Sequence, residues 1–344
     1  MDSLTQIVLG AACGEAVLGK KIGNKALLFG AIGGTIPDLD VFIGPWLYSN
    51  EIQAMAFHRG FMHSIWFAIM GTFVFGYLAF KLYDTGKRKG TTALKDWRWL
   101  FFWALLTHPI LDCFTPYGTQ LFGPIWDYRI AFNNIAVADP MYTVPFLLCL
   151  IILMFFNRKN PKRKLWLKLG LGISSAYMLF TVGNKLYINS IFKSSLEASD
   201  IAYSRFRSQP TILNNVLWYA VAETETDYHF GFYSLLDKEP KVKNWLKVAK
   251  SDSGLPMDDN DLKTLVWFSD GYYFIKPSDD QGTYVYKDVR YAPVNPNDAD
   301  SFLFSFKLYQ LEGRWDMKNS GPDFEEEPTF QSLFGPMIER MKGI

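Results

Sequence analysis

The chain has 344 residues, with 35 Lys and Arg against 34 Asp and Glu and only three cysteines. That balance supplies no continuous basic groove for nucleic acid, and three cysteines without knuckle spacing supply neither a disulfide framework nor a thiolate metal site. At 49% hydrophobic and 17% aromatic residues, the chain has more apolar surface than an ordinary soluble domain needs. Charge divides it: residues 1–188 hold 18 Lys and Arg against 10 Asp and Glu, and the remainder 17 against 24, which implies two environments.

In chain order, apolar segments fall at 4–19, 26–44, 64–83, 99–114, 141–157 and 166–188, several near the ~20 residues that span hydrocarbon. The segments at 4–19 and 99–114 are short, so the expectation is a helical membrane bundle of four to six spans, two of them tilted or buried by neighbours. An N-terminal stretch with an aspartate and no basic residue before Gln6 argues against a cleaved secretory signal. The connectors 20–25, 84–98 and 157–168 are strongly basic, whereas 45–63 and 115–140 contain one arginine each. Six spans put every basic connector on the cytoplasmic side and both poorly basic ones outside. The expected location is therefore a multi-pass inner membrane protein whose C-terminal region starts outside.

From about residue 189 the texture changes to short alternating aromatic runs between turn residues, as in NVLWYAVAE (215–223), YHFGFYSLL (228–236), TYVYKDV (283–289) and FLFSFKLYQ (302–310). These predict a soluble, mostly antiparallel β domain, α+β in class, over 189–344, following a transmembrane domain over 1–188. In VWFSDGYYF (266–274) the Asp270-Gly271 pair predicts a tight hairpin. Phe330, Leu333, Phe334, Met337, Ile338 and Met341 recur at helical spacing, predicting a terminal helix packed on its own sheet.

The chemistry-bearing residues cluster in the first part. GTIPDLD brings Asp38 and Asp40 to the end of the second apolar segment, and HRGFMHS puts His58, Arg59 and His63 before the third. THPILDCFTPYG closes the fourth with His108 and Asp112 four residues apart, on one helix face. Asp127 and Asp139 follow. The topology derived from the basic connectors puts all these pieces at one outer end of the bundle. Ionisable groups near hydrocarbon cost about 2.5–3.5 kcal/mol each, and clustered carboxylates repel, unless they and neutral imidazoles surround a divalent cation. Mixed His and Asp donors suit zinc, manganese or iron rather than calcium, as one ion or two. His229, the fourth histidine, lies on an expected strand without partners.

MDSLTQIVLGAACGEAVLG, GTIPDLD, HRGFMHS and THPILDCFTPYGT, in this order over about residues 1–140, resemble the YdjM-type family of membrane-bound metal-dependent hydrolases. The resemblance implies metal-ligand roles for Asp38, Asp40, His58, His63, His108 and Asp112. More distantly the pattern is similar to zinc-dependent phospholipase C and its nuclease relatives. Many family members have a histidine near the start of the first span, where this chain has Gln6. The expected activity is hydrolysis by metal-activated water of a phosphoester or lipid-like substrate at the bilayer's outer face. Asp139 or Glu15 is the expected proton acceptor, and Arg59 either steadies an anion or anchors to headgroups. Two other classes stay open: a non-enzymatic protein with a structural metal and a partner-binding C-terminal domain, and a metal or ion transporter.

Overall fold

A computed structural model describes residues 1–250, 254–280, 282–296, 298, 301–321 and 330–344, the side chains of 330, 332 and 333 excepted. The chain forms two compact units: residues 1–43, 57–183 and 212–214, and residues 44–56, 184–211 and 215–344.

The helices come first along the chain: α1 (Ser3–Ile22) starts at an Asp2 cap, and α2 (Asn24–Thr35) runs on through a tight turn, Ile36–Leu39, into α3 (Asp40–Leu47). After α4 (Glu51–Phe57) and a second tight turn, Phe61–His63, come α5 (Ile65–Tyr83), α6 (Leu94–Asp112), α7 (Pro140–Met154) and α8 (Pro161–Ala198). Three helical runs are long and apolar enough to cross a bilayer: 24–47, α5 and α8; α7 is apolar but only 15 residues long. Up to three spans are thus supported by length and composition, and the expected count of four to six is not confirmed. The segments at 4–19 and 99–114 fall in α1 and α6, whose polar groups, such as Gln6, Glu15 and Asp96, are accommodated by neighbouring helices rather than by lipid.

α1 packs on α2, α6 and α7, and α5 packs on α6. The α1–α2 contact is close because glycines face each other. A Cβ on Gly14 would clash with the carbonyl oxygen of Ala26, and one on Gly30 with that of Gly10. No larger residue permits that approach. Glu15 is buried and bound at both oxygens by Arg163 of α8, at 2.9 and 2.6 Å. Arg163 also reaches Asn24 and the Phe156 carbonyl, tying α1, α2 and α8 together. Cys113 and Cys149 are buried free thiols, consistent with small core residues.

The second unit has two four-stranded antiparallel meanders. β1 (Arg205–Pro210), β2 (Leu217–Glu223), β3 (Asp227–Ser234) and β4 (Trp245–Ala249) form one, and β5 (Tyr273–Pro277), β6 (Tyr284–Asp288), β7 (Ser305–Leu311) and β8 (Arg314–Asn319) the other. The first core gathers Leu217, Val221, Phe230, Phe274 and Phe302; the second gathers Leu262, Leu265, Ile275, Tyr286 and Leu308. Ile52 of α4 is fully buried in that second core. Asn50 donates to the Trp315 carbonyl, the Glu51 amide donates to Asp316, and Gln53 donates to Asp261. Thus residues 44–56 belong by packing to the β unit.

Two local expectations resolve differently. Residues 266–268 are not a strand but the end of α9 (Asn260–Phe268), capped by Asp259. Leu262, Leu265 and Phe268 fall on its buried face at helical rather than alternating spacing. Asp270 and Gly271 do take left-handed dihedrals, but they close a helix: the Gly271 amide donates to the Val266 carbonyl and that of Asp270 to Trp267, the Schellman arrangement. The terminal α10 (Phe330–Met341) packs Met337 and Met341 on the first sheet's core, with Arg340 paired to Asp237. Phe330 and Leu333, expected on that face, have side chains outside the described residues.

Candidate metal centre

Each chemical residue is delivered by a helix end or a turn. The 35–40 turn, with Pro37 at its start, brings up Asp38 and Asp40. His58 and Arg59 follow α4, and Arg59 has a positive φ of 59°. A non-glycine residue held there is strained, and the inverted backbone lets the Arg59 amide donate to Asp40 Oδ2 at 2.9 Å. Its side chain reaches Thr115 at 3.0 Å and comes within 3.3 Å of Asp112. His63 lies in the Phe61–His63 turn, and His108 and Asp112 occupy the last turn of α6.

Asp38, His63, His108 and Asp112 converge: one donor atom from each lies within 4.8 Å of the others. The two Nε2 atoms of His63 and His108 are 3.1 Å apart. Asp38 Oδ1 is 3.3 and 3.4 Å from them, and Asp112 Oδ2 is 3.5 and 3.6 Å. Metal bonds of about 2.0–2.2 Å to nitrogen and oxygen set tetrahedral donor separations of about 3.3–3.6 Å, so the spacing fits one ion. Protonation points the same way. His108 Nδ1 sits 2.6 Å from the Gly34 carbonyl, which can only accept. That nitrogen therefore carries a proton, which in the neutral ring leaves the lone pair on Nε2. His63 Nδ1 lies 3.0 Å from Asp40 Oδ2, off the hydrogen-bond axis, which orients its Nε2 inward too. Two facing ring nitrogens, with a fully buried Asp112 Oδ2 that accepts no hydrogen bond, are a donor set that neutral imidazoles can offer to a cation.

Asp40 and His58, implied as ligands by the resemblance, stand outside this group. Asp40 meets His58 Nδ1 at 2.7 Å, the Arg59 amide and His63 Nδ1, the contacts of a carboxylate that orients a neighbouring donor. Burial holds His58 below the ordinary imidazole range despite the opposing pull of Asp40. Neither expected proton acceptor joins the group. Glu15 is held by Arg163, about 13 Å along α1 from Gln6 at 1.5 Å per residue. Asp139 caps α7, accepting from the Met141 amide and Tyr177. Asp127 is exposed.

Other groups at the centre had little or no signal in the sequence. Gln6 donates to Asp112 Oδ1 at 2.8 Å and to the His108 carbonyl, and the Met1 amine also meets Asp112. The 115–130 connector folds back through the Thr119–Ile130 bridge and lays Arg129 on the His58 carbonyl at 3.1 Å. Only the isolation of Arg129 in a connector poor in basic residues could have marked it.

The family model of the YdjM inner membrane protein matches residues 1–187, which contain the whole centre. The chain belongs to the YdjM family. Among curated proteins, "Uncharacterized protein YfhP" of Bacillus subtilis (strain 168) is 26% identical to this YdjM member over 162 residues, 44% of this chain and 46% of that protein. The chain thus spans about half the length of the relative it matches. No solved structure matches it.

Proposed function

We propose that this YdjM-family protein is a membrane-embedded hydrolase that uses one divalent ion, zinc by donor preference, on a phosphoester or lipid-like substrate at the outer face of the membrane. The observation that supports it best is the four-donor group and its orphaned Asp112 oxygen. An ion held there supplies acidified water and a Lewis-acid contact to an ester oxygen.

The chain's own residues divide the remaining work. His63, His108 and Asp112, with fully buried side chains, are the holders, whereas Asp38 has a side chain 18% exposed. Asp38 thus closes the group on its solvent side, where it takes the proton of the attacking water. This role replaces the one expected of Asp139 or Glu15. Asp40 fixes the His63 ring, and Arg59, beside Asp112, opposes negative charge as it develops on the substrate. The outer-face reading is supported by the basic connectors, which a six-span topology puts at the opposite end of the bundle.

One observation favours a second reading: four protein donors are the usual complement of a closed structural ion, whereas catalytic sites keep a position open. Asp38→Asn separates the two readings. In detergent-purified full-length protein it retains metal stoichiometry but lowers turnover of phosphodiester or phospholipid substrates about 10²- to 10⁴-fold, while Asp112→Asn loses the metal. Wild-type protein that keeps its ion yet releases no product from phosphodiesters, phospholipids or amides would make the ion a staple. Metal flux into sealed vesicles would make the protein a transporter.

A further inference from the structure

The two connectors poor in basic residues each retain one arginine, and the fold brings those two arginines to the same ring. The Arg59 guanidinium lies 4.8 Å and the Arg129 guanidinium 4.9 Å from the centroid of Tyr117. The His58 ring is 5.4 Å from that centroid. Two guanidiniums gathered at one aromatic ring bring together planar N–H donors of the kind that recognise an oxyanion. Their placement is built, not incidental. Arg59 is 4% exposed and held in a left-handed backbone conformation. Gly118, with φ of 80°, turns the chain after Tyr117, where a Cβ would sit 3.0 Å from that of Arg129. Arg59 Nε is 3.3 Å from Asp112, so this cradle borders the four-donor group directly. A group bound at the ion therefore has a cationic neighbour within reach.

The chain between Tyr117 and Arg129 has a second character. Phe122, Ile125, Trp126 and Tyr128 are all exposed, Ile125 at 78%. The rings of Phe122 and Trp126 stack at 6.0 Å, and those of Trp126 and Tyr128 at 5.3 Å. An exposed aromatic row joining helices of a membrane protein suits the headgroup layer, where amphipathic rings reside. Tyr117, the apolar row and Arg129 are thus one continuous segment, with Arg59 brought to its Tyr117 ring, and together they match an anion attached to acyl chains.

We propose that Arg59, Tyr117 and Arg129 form the subsite for the phosphate of an anionic phospholipid, with the Phe122–Tyr128 row lying against the lipid beside it. The assignment rests on the reading of the neighbouring four-donor group as a hydrolytic centre, and it names that centre's substrate class. Guanidinium forks match phosphate oxygens bidentately, and Arg is less interchangeable with Lys where it also stacks on a ring.

Binding tests it without requiring turnover. Metal-loaded full-length protein in a zwitterionic detergent is titrated with inorganic phosphate and, separately, with phosphatidylglycerol micellised in the same detergent. Arg129→Gln is expected to weaken both ligands at least tenfold with metal content unchanged, and Arg129→Lys to recover part of the loss. Trp126→Ala is expected to weaken phosphatidylglycerol and leave inorganic phosphate unchanged. Unchanged affinity for both ligands in metal-replete Arg129→Gln overturns the subsite. If Trp126→Ala alters neither ligand, the lipid assignment falls. Arginine-dependent binding without any hydrolysis would refute the hydrolytic reading alone, whereas Asp38-dependent hydrolysis unaffected by Arg129→Gln would refute the subsite alone.

Discussion

Replacing Asp40 by asparagine tests the division between ion-holding and supporting residues. The side chain keeps its shape but loses its charge and one acceptor. It then cannot serve His58 Nδ1 at 2.7 Å, the Arg59 amide at 2.9 Å and His63 Nδ1 at 3.0 Å as the carboxylate does. Its oxygen, turned toward Arg59 and His63, leaves an amide N–H facing His58, whose ring must change tautomer. His63 retains a neutral partner in place of a charged one, and charge-assisted contacts are roughly twice as strong. Loss of such a supporting carboxylate weakens metal affinity about 10- to 100-fold, or about 1.4–2.7 kcal/mol. Competition against a chelating dye in detergent reads that shift, and thermal unfolding of the metal-free protein checks that the fold survives. Affinity within about threefold of wild type would refute the supporting role. Complete loss of metal under conditions that saturate wild type would instead make Asp40 a direct ligand.

Other parts of the structure make separate expectations. Gly14→Val drives a side chain into the Ala26 carbonyl and should lower the unfolding temperature in detergent, by about 1–3 kcal/mol or more of stability. Arg163→Met leaves the Glu15 carboxylate buried and unpaired and should cost about 3–5 kcal/mol, most of which Glu15→Gln added to it restores. A double mutant no more stable than the single would show that the Glu15–Arg163 pair is not what α1 depends on. Ile52→Ala empties a fully buried position in the second β core and should destabilise that unit by about 2–5 kcal/mol in chemical denaturation. A cysteine at the exposed Asp127 should react with a membrane-impermeant maleimide in right-side-out vesicles, and protection there would invert the proposed sidedness.

Much of the centre was legible in the residues themselves. Charges next to hydrocarbon require partners, so Asp38, Asp40, His58, His63, His108 and Asp112 marked a shared site before any distance was known. The four-residue spacing of His108 and Asp112 already put both on one face of α6. Membership of the family lay in the same ordered motifs. The alternating runs after residue 189 indicated antiparallel sheet, because side-chain direction along a strand is a local property.

What depends on distant chain was not legible. Asp38 and Asp40 stand two apart on a helical turn and so project to different sides. Which of them faces the two imidazoles is decided by where α6 and the His58–His63 turn lie. Glu15 reads as a free intramembrane acid until Arg163, 148 residues later, is packed against it. Asp270-Gly271 supplies the same left-handed dihedrals to a hairpin and to a helix end, and only the buried face of α9 distinguishes them. The sequence by itself determined which groups need partners and which segments are apolar, since composition and short-range geometry settle both. Only the tertiary structure decided which donors meet at one point, because a metal-sized cluster is set to tenths of an ångström by helices far apart in the chain.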